Sequence, residues 1–124
     1  MALDKSLSED RPKAMSEDRE QMLFIQWFRR THPDVLIFHI PNGGYRRPSE
    51  AARLKAMGVV PGIPDLFIPA WHLFIEMKKE KGGIVSNAQK ECIKHLQRVS
   101  YCVIIGTGFE DARLKTIDFI RTKS

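Results

Sequence analysis

The sequence predicts an α/β fold in which helices flank a mixed β-sheet. Three observations support this prediction. Helical patterns alternate with short runs of β-branched and aromatic residues along the 124-residue chain. Two of these runs follow each other closely enough to form a hairpin. A third run lies beyond a helix, an arrangement that gives a parallel strand pair with a right-handed crossover.

Size and composition indicate one folded domain. The chain has 124 residues, and 43% of them are hydrophobic, which is enough to build a core. Residues 1–15 are polar and lack the apolar segment of a signal peptide, so we expect a flexible tail there and the domain over 16–124. Because there is no run of eighteen apolar residues, we expect no membrane span. A cytoplasmic location is expected because the two cysteines fit reduced thiols.

The net charge and the cysteine and histidine spacing give weak indications of the partner and of any metal or redox site. A formal net charge of +5 favours a polyanionic partner, of which nucleic acid is the commonest. Cys92 and Cys102 show neither CxxC nor zinc-ligand spacing, so we expect reduced core thiols. His32, His72 and His95 show no ligand spacing either and are expected to be structural or exposed.

The first helix is predicted to follow Ser16, a favourable N-cap residue. Acidic residues fill its first turn, while Arg29 and Arg30 occupy its last turn, as the helix dipole favours. Pro33 then ends the helix.

A strand, a turn and a short helix are predicted next. The run VLIFHI (35–40) is typical of a strand, and PNGG (41–44) is typical of a turn. The short helix has Pro48 near its start and Gly58 just past its end, which is the usual placement of these two residue types.

A hairpin is predicted in the middle of the chain. Its strands are DLFIP (65–69) and HLFIEMK (72–78), and the few residues around Ala70 and Trp71 join them. The glycines of KGG (81–83) end the second strand.

The C-terminal part supplies the parallel strand. Ser86 precedes a helix and Gln89 stands three residues later, which is a capping-box pattern. The run YCVIIG (101–106) is expected to lie parallel to 72–78 and beside it, and a closing helix is predicted from residue 109 onward.

The hairpin carries charges that a purely structural strand pair does not need. Side chains alternate along a strand, so Glu76 and Lys78 share one face, and a matching register brings Asp65 beside them. Two close carboxylates repel, and a divalent cation removes that repulsion. A lysine beside them can hold an attacking water or balance charge on a phosphate. This is the outline of a site for metal-assisted phosphodiester hydrolysis.

Two structural explanations compete with this interpretation. Asp65 follows Pro64 and fits turn chemistry, and EMKKEK (76–81) fits a solvated strand end. A D…ExK spacing is also short and occurs in many unrelated chains. The catalytic interpretation gains support because both carboxylates abut β-rich runs that are predicted to be adjacent strands.

Longer motifs around the hairpin resemble a known family. The segments IPNGGYRRPSEAARLKAMGVVPG (40–62) and GIPDLFIP…LFIEMKKEKGGIVSNAQ (62–89) resemble the virus-type replication-repair nuclease domain, VRR-Nuc, a branch of the PD-(D/E)xK nuclease superfamily. The resemblance runs from about residue 16 to 106 and is greatest to small stand-alone phage and bacterial members. The joint occurrence of NGG, LKxxGVxxGxPDL, ExK and SxxQ is far more specific than D…ExK alone. It implies a restriction-endonuclease-like fold in a bacterial or phage-infected cell.

The resemblance implies roles for the hairpin residues. Asp65 and Glu76 match metal-binding acids, and Lys78 matches the catalytic lysine. The backbone carbonyl of Met77 is implied as an additional metal ligand, and Mg²⁺ or Mn²⁺ as the cofactor. Gln89 matches a glutamine that faces the active site in many related nucleases, although a role in the capping box competes with this one.

The family also places an acid on its first helix, a few residues before a glutamine. Glu17 stands four residues before Gln21, on the same helix face as Phe24 and Phe28, so we assign the role to Glu17. Glu20 is the alternative, because it aligns with the apolar stripe at the same helical spacing. A purely structural role competes for either acid, because a negative side chain in the first turn is stabilised by the helix dipole.

A glycine turn and a basic cluster are the expected nucleic-acid contacts. Glycines permit close backbone approach, although a plain tight turn explains them equally well. Basic residues suit phosphates, although a single basic residue is more often a solvated charge. His39 is expected near the site if its strand pairs with the hairpin. The expected contacts are Asn42, Gly43, Gly44, Arg46, Arg47, Arg53 and Lys55.

The predicted function is that of a Mg²⁺- or Mn²⁺-dependent DNA endonuclease. One alternative is an inactive nucleic-acid-binding or scaffold module, against which the intact acids and lysine argue. Another is an accessory subunit that cuts only beside a helicase or replication partner. Small stand-alone family members are expected to form homodimers, and two symmetric sites suit a four-way (Holliday) junction in replication, repair or recombination. Trp71 and Phe109 are candidates for the dimer interface, although core positions explain both of them better.

Overall fold

Helices and strands alternate in the predicted order. A computed structural model describes residues 16–41 and 47–123, and within them four helices and four strands are present. The helices are α1 (Glu17–Thr31), α2 (Pro48–Ala56), α3 (Asn87–Arg98) and α4 (Phe109–Lys123). The strands are β1 (Phe38–His39), β2 (Leu66–Ile68), β3 (Leu73–Lys78) and β4 (Cys102–Thr107).

The sheet is mixed, as the sequence predicted. Its strand order is β1-β2-β3-β4, with antiparallel pairing between β1, β2 and β3 and parallel pairing between β3 and β4. A 3₁₀ turn, Pro69–Trp71, joins β2 to β3, so the predicted hairpin is present. Helix α3 connects β3 to β4. The α/β fold class is therefore confirmed.

Strand lengths differ from the prediction at two places. Only Phe38 and His39 of the run 35–40 form ladder pairs, and the Ile40 N–H donates to the carbonyl of Asp65, just before β2. His72 was expected in a strand but adopts a left-handed conformation with φ 49° and closes the 3₁₀ turn, so β3 begins at Leu73.

The predicted helix caps are present. Ser16 Oγ accepts a hydrogen bond from the backbone N–H of Arg19 at 3.2 Å, and Ser86 and Gln89 form a reciprocal capping box. Gly58 follows α2 with φ +107°, a conformation that favours glycine.

The core lies on one face of the sheet, where α1 and α4 pack. Its fully buried side chains come from β2, β3 and α1 and from Ile37, which precedes β1, with Ala112 contributed by α4. Trp71 and Phe109 pack against this cluster, so both are core positions. The main apolar residues of the core are Phe24, Phe28, Ile37, Leu66, Ile68, Leu73, Ile75 and Met77.

The opposite face of the sheet is only partly covered. Helix α3 packs against β4, but the aromatic side chains of the antiparallel strands stay partly exposed, and Phe38 is 40% exposed. The rings of Phe67 and Phe74 stack at 4.3 Å between centroids. Open faces of antiparallel sheets are usually polar, which makes this apolar surface unusual. We call it the aromatic face: Phe38, Phe67, Phe74 and Tyr101.

Two further expectations can be compared with the described residues. Cys92 and Cys102 are both free thiols. None of the described helices is long and apolar enough to cross a membrane.

Candidate active site

The antiparallel register of the hairpin puts Asp65 beside Glu76. Leu66 pairs with Ile75, so the residue before Leu66 lies opposite the residue after Ile75. Asp65 Oδ2 accepts a hydrogen bond from the backbone N–H of Met77 at 2.8 Å, which fixes the carboxylate against β3. The structure therefore brings together the two acids that were singled out in the sequence.

Glu76 is a buried carboxylate, and one of its two oxygens has no hydrogen-bond partner among the described residues. The residue is 2% exposed, and its Oε2 accepts a hydrogen bond from Gln89 Nε2 at 2.6 Å. The same Oε2 lies 3.6 Å from Lys78 Nζ. Oε1 is also buried, but it has no hydrogen-bond partner among the described residues. A buried unsatisfied polar atom costs about 1–3 kcal/mol, so this oxygen favours an additional ligand.

The environment of Asp65 and Glu76 opposes the ionisation of both carboxyl groups. Burial raises the pKa of Glu76 to about 7, the charges of Asp65 and Glu17 add to the rise, and Lys78 opposes it. Burial also raises the pKa of Asp65, against the hydrogen bond from Met77. Because a nearby cation favours the ionised form of both groups, the electrostatics of the site suit a positive ligand.

Lys78 provides one positive charge inside the site. The residue is 7% exposed, and its ammonium faces the Glu76 carboxylate. Met77 stands between these two residues on β3, and its side chain is fully buried on the core side. The alternation of side chains along β3 thus separates the core residue from the two site residues.

The two acids of the first helix occupy different environments. Glu17 is partly exposed and near enough for its charge to raise the pKa of both Asp65 and Glu76. Glu20 is 3% exposed, and its Oε1 accepts a hydrogen bond from the backbone N–H of Phe109 at 2.6 Å. The charge of Glu17 therefore acts on the acid pair, whereas Glu20 contacts the start of α4.

Gln89 combines the two roles that appeared to compete. Its Oε1 accepts a hydrogen bond from the Ser86 N–H at 2.8 Å and completes the capping box, while its Nε2 reaches Glu76. Gly62 lets the preceding loop approach this helix start. A Cβ on Gly62 would lie 2.5 Å from the backbone carbonyl of Ala88, and the backbone of Gly62 has a φ of +92°. This close approach is a physical reason for glycine at that place in the LKxxGVxxGxPDL motif.

A contact between Gln21 and His39 was missed in the sequence. His39 Nδ1 lies 2.9 Å from the carbonyl oxygen of Asp65 and 3.2 Å from Gln21 Nε2. A carbonyl oxygen only accepts, so Nδ1 is the donor in the contact with Asp65. With its proton on Nδ1, the imidazole donates to the residue that precedes β2 and cannot also accept from the Gln21 amide nitrogen, so Gln21 of α1 lies beside the ring without a hydrogen bond to Nδ1 in this tautomer. The glutamine four residues after Glu17 was the available signal.

The expected nucleic-acid contacts are only partly described. Asn42, Gly43, Gly44 and Arg46 lie outside the described residues. Arg47, at the N-cap of α2, and Arg53 and Lys55, on that helix, are all exposed. Helix α2 has no buried residue, so its surface is open to a partner. Arg47 and Arg53 line one shallow pocket together with Ser49 and Glu50.

The acid pair fits a hard divalent cation. Among the described residues, no three Asp, Glu, His or Cys side chains lie close enough together to form a metal cage. Mg²⁺ does not need one, because it usually binds one or two carboxylates and keeps water or phosphate in its other positions. Asp65 and Glu76, with the unsatisfied Oε1 of Glu76, match that requirement.

Comparison with solved structures finds a relative that matches most of the chain. A chain described as "VRR_NUC domain protein" is 32% identical to this one, with a TM-score of 0.74. The match covers 88% of this chain and 91% of that chain. No protein-family model and no curated protein matches the sequence.

The Glu76 carboxyl is expected to make stability depend on pH. Its pKa is 4.5 ordinarily and about 7 in the folded chain. Below pH 4.5 both states hold the proton and there is no penalty. Above pH 7 the folded chain carries the full penalty of ionisation, on the order of 3 kcal/mol. The free energy of unfolding should therefore fall between pH 5 and pH 8. Urea titrations without divalent ions measure it, and Glu76→Gln should lose less stability over this range. Parallel curves for the two proteins would contradict the assignment.

Proposed function

Because the chain belongs to the VRR-Nuc family, we propose that it is a divalent-metal-dependent DNA endonuclease. Membership makes it a nuclease-family domain, and the finer assignment is our proposal. The observation that carries it is the buried pair Asp65 and Glu76, in which one carboxylate oxygen has no described partner. The lysine 3.6 Å from that carboxylate supports it further.

Each residue of the site has a proposed task in hydrolysis. When bound, Mg²⁺ or Mn²⁺ supplies Lewis-acid chemistry, activating water and offsetting phosphate charge. Asp65 and Glu76 would hold the ion, with the Met77 carbonyl and Glu17 as further proposed ligands. Lys78 holds the attacking water or balances charge on the phosphate. The water oxygen bonds to phosphorus as a bridging P–O bond breaks, and the leaving oxygen takes up a proton.

Gln89 is proposed to act through Glu76. Its amide donates a hydrogen bond to Oε2, which leaves Oε1 as the oxygen that would be available to a cation. Because the other end of the amide is fixed by the Ser86 N–H, the carboxylate is held in one orientation. Orientation of this kind contributes to catalysis by keeping the charged groups preorganised.

Substitution of the acids should separate catalysis from binding. Asp65→Asn or Glu76→Gln should lower the cleavage rate by about 100-fold or more, the usual scale for losing one electrostatic group. Lys78→Ala should do the same without removing the metal. Cleavage is measured on labelled DNA in Mg²⁺ or Mn²⁺, and binding by anisotropy in Ca²⁺. Asp118→Asn, an exposed acid on α4, is the control. An Asp65→Asn protein that cuts at the wild-type rate would refute the site.

We propose that α2 and residues 42–46, which precede it in the sequence, contact the DNA backbone. Arg47, Arg53 and Lys55 are exposed on an element with no buried residue, which suits a surface that meets phosphates. The family resemblance adds Asn42, Gly43, Gly44 and Arg46 to this proposal. Glu50 lies in the same pocket as two of the arginines and offsets part of their charge.

Neutralising these arginines should weaken binding on all sequences alike. Arg47→Ala or Arg53→Ala should reduce the slope of log K against log salt by about one, because each phosphate contact releases counterions. Arg98→Ala, an exposed arginine at the end of α3, is the matched control and should leave the slope unchanged. Identical slopes for all three variants and the wild type would move the binding surface elsewhere.

We also propose a homodimer that acts on four-way junctions in replication, repair or recombination, in the cytoplasm of a bacterial or phage-infected cell. The aromatic face supports an interface, because such apolar side chains on an open sheet face need cover. The edge of β4 is less suitable. Lys115 Nζ donates to the Ile105 carbonyl, and Asp111 accepts from the Thr107 N–H, so polar side chains already occupy that edge.

Assembly and substrate can be tested separately. Light scattering should give twice the 14.3 kDa chain mass, and Phe38→Asp should shift it toward one chain. Leu114→Asp, which changes an exposed apolar residue on α4, is the control. A monomer bound to a junction at micromolar concentration would refute the dimer. Equal cutting of linear duplex and junction would refute the substrate proposal and leave the nuclease proposal intact.

A further inference from the structure

Glu20 is a buried acid that the proposed chemistry does not use. It is 3% exposed in the first turn of α1, and buried acids are rare unless they are paired. Its Oε1 accepts a hydrogen bond from the backbone N–H of Phe109 at 2.6 Å, across 89 residues of sequence. The contact is short for an N–H···O hydrogen bond.

This contact supplies a missing helix cap. Helix α4 begins at Phe109, and the Ala112 N–H donates to the Gly108 carbonyl at 3.1 Å, which places Gly108 at the N-cap position. Gly108 has no side chain with which to cap, and its φ of +95° favours glycine. Glu20 therefore caps α4 from another helix, and its charge also suits the positive end of the α4 dipole.

The same turn is bonded to β3, the strand that carries Glu76 and Lys78. The Gly108 N–H donates to the carbonyl of Lys78 at 2.7 Å, one residue beyond the ladder pair of Lys78 and Thr107. A Cβ on Gly108 would lie 3.4 Å from Glu20 Oε2, so the carboxylate lies against this turn. The first turn of α1, the start of α4 and the end of β3 meet here.

We propose that Glu20 is a positioning residue that holds the Glu17 end of α1 in place against the Lys78 end of β3. Glu17 lies three residues earlier on α1, and its charge acts on Asp65 and Glu76. Loss of the Phe109 hydrogen bond would let the first turn of α1 move away from the strand. The roles given to Glu17 and Lys78 rest on the proposed function. The hydrogen bond between Glu20 and Phe109 does not depend on that function.

Side-chain length and charge distinguish this role from that of a metal ligand. Glutamine keeps an acceptor oxygen at the right length but loses the charge. Aspartate keeps the charge but is one methylene shorter. A positioning cap should tolerate Glu20→Gln and fail in Glu20→Asp or Glu20→Ala. A metal ligand should fail in Glu20→Gln, as Glu17→Gln is expected to do.

The first measurement is the split between kcat and KM on cleavable DNA, together with Mn²⁺ affinity by calorimetry. Glu20→Asp and Glu20→Ala should lower kcat by up to about 100-fold, the scale of a small misplacement, with KM unchanged and Mn²⁺ bound more weakly. Glu20→Gln should stay close to the wild type in kcat and in Mn²⁺ affinity. If Glu20→Ala does not fold, the Gln and Asp pair still decides the question.

The second measurement does not depend on activity. Hydrogen exchange at the Phe109 and Gly108 amides should be slow in the wild type and in Glu20→Gln, and fast in Glu20→Asp. If the wild type cuts no DNA but these exchange and Mn²⁺ effects appear, the nuclease proposal fails and the positioning role stands. A Glu20→Gln protein as inactive as Glu17→Gln would overturn the positioning role. So would a folded Glu20→Asp protein with lowered stability but wild-type kcat and Mn²⁺ affinity.

Discussion

The burial of two neighbouring carboxylates is the constraint on which this domain depends. Asp65 and Glu76 face each other across a hairpin, and burial opposes the ionisation of both. Each contact around them acts against that tendency: a backbone N–H on Asp65, and an amide and an ammonium on Glu76. These donors come from β3 and α3, so the charge of the site is balanced by the elements that frame it.

The rest of the scaffold fixes the strand that carries Glu76 and Lys78. β3 is central in the sheet, antiparallel to β2 on one side and parallel to β4 on the other. Gly106 lets α4 approach β4 closely, because a Cβ there would lie 2.5 Å from the Ala112 Cβ. With α1 packed beside α4, the core face of β3 is completely covered, and its site face is held by Gln89.

Local patterns predicted the elements and the acid pair, because both follow from short-range periodicity. A strand has a period of two, so the spacing of Glu76 and Lys78 already placed them on one face. Helical spacing did not separate Glu17 from Glu20, because both align with the apolar stripe. What separates them is Phe109, a partner 89 residues from Glu20, and no local pattern encodes that contact. The lengths of β1 and β3 were missed for a similar reason. Ladder length depends on the partner strand, and His72 adopts a turn conformation despite its β-rich neighbours.

Stability and ligand affinity in this domain have the same physical origin. The arrangement that raises the pKa of Glu76 to about 7 opposes folding near neutral pH when no cation balances the charge. A cation beside Asp65 and Glu76 would lower both pKa values and satisfy the oxygen that has no described partner. The free energy that opposes ionisation of the two acids in the absence of a cation would then favour binding of the cation. A hydrophobic replacement of the acids would give a more stable hairpin and no site, since the destabilising charges are the ones able to bind the ion.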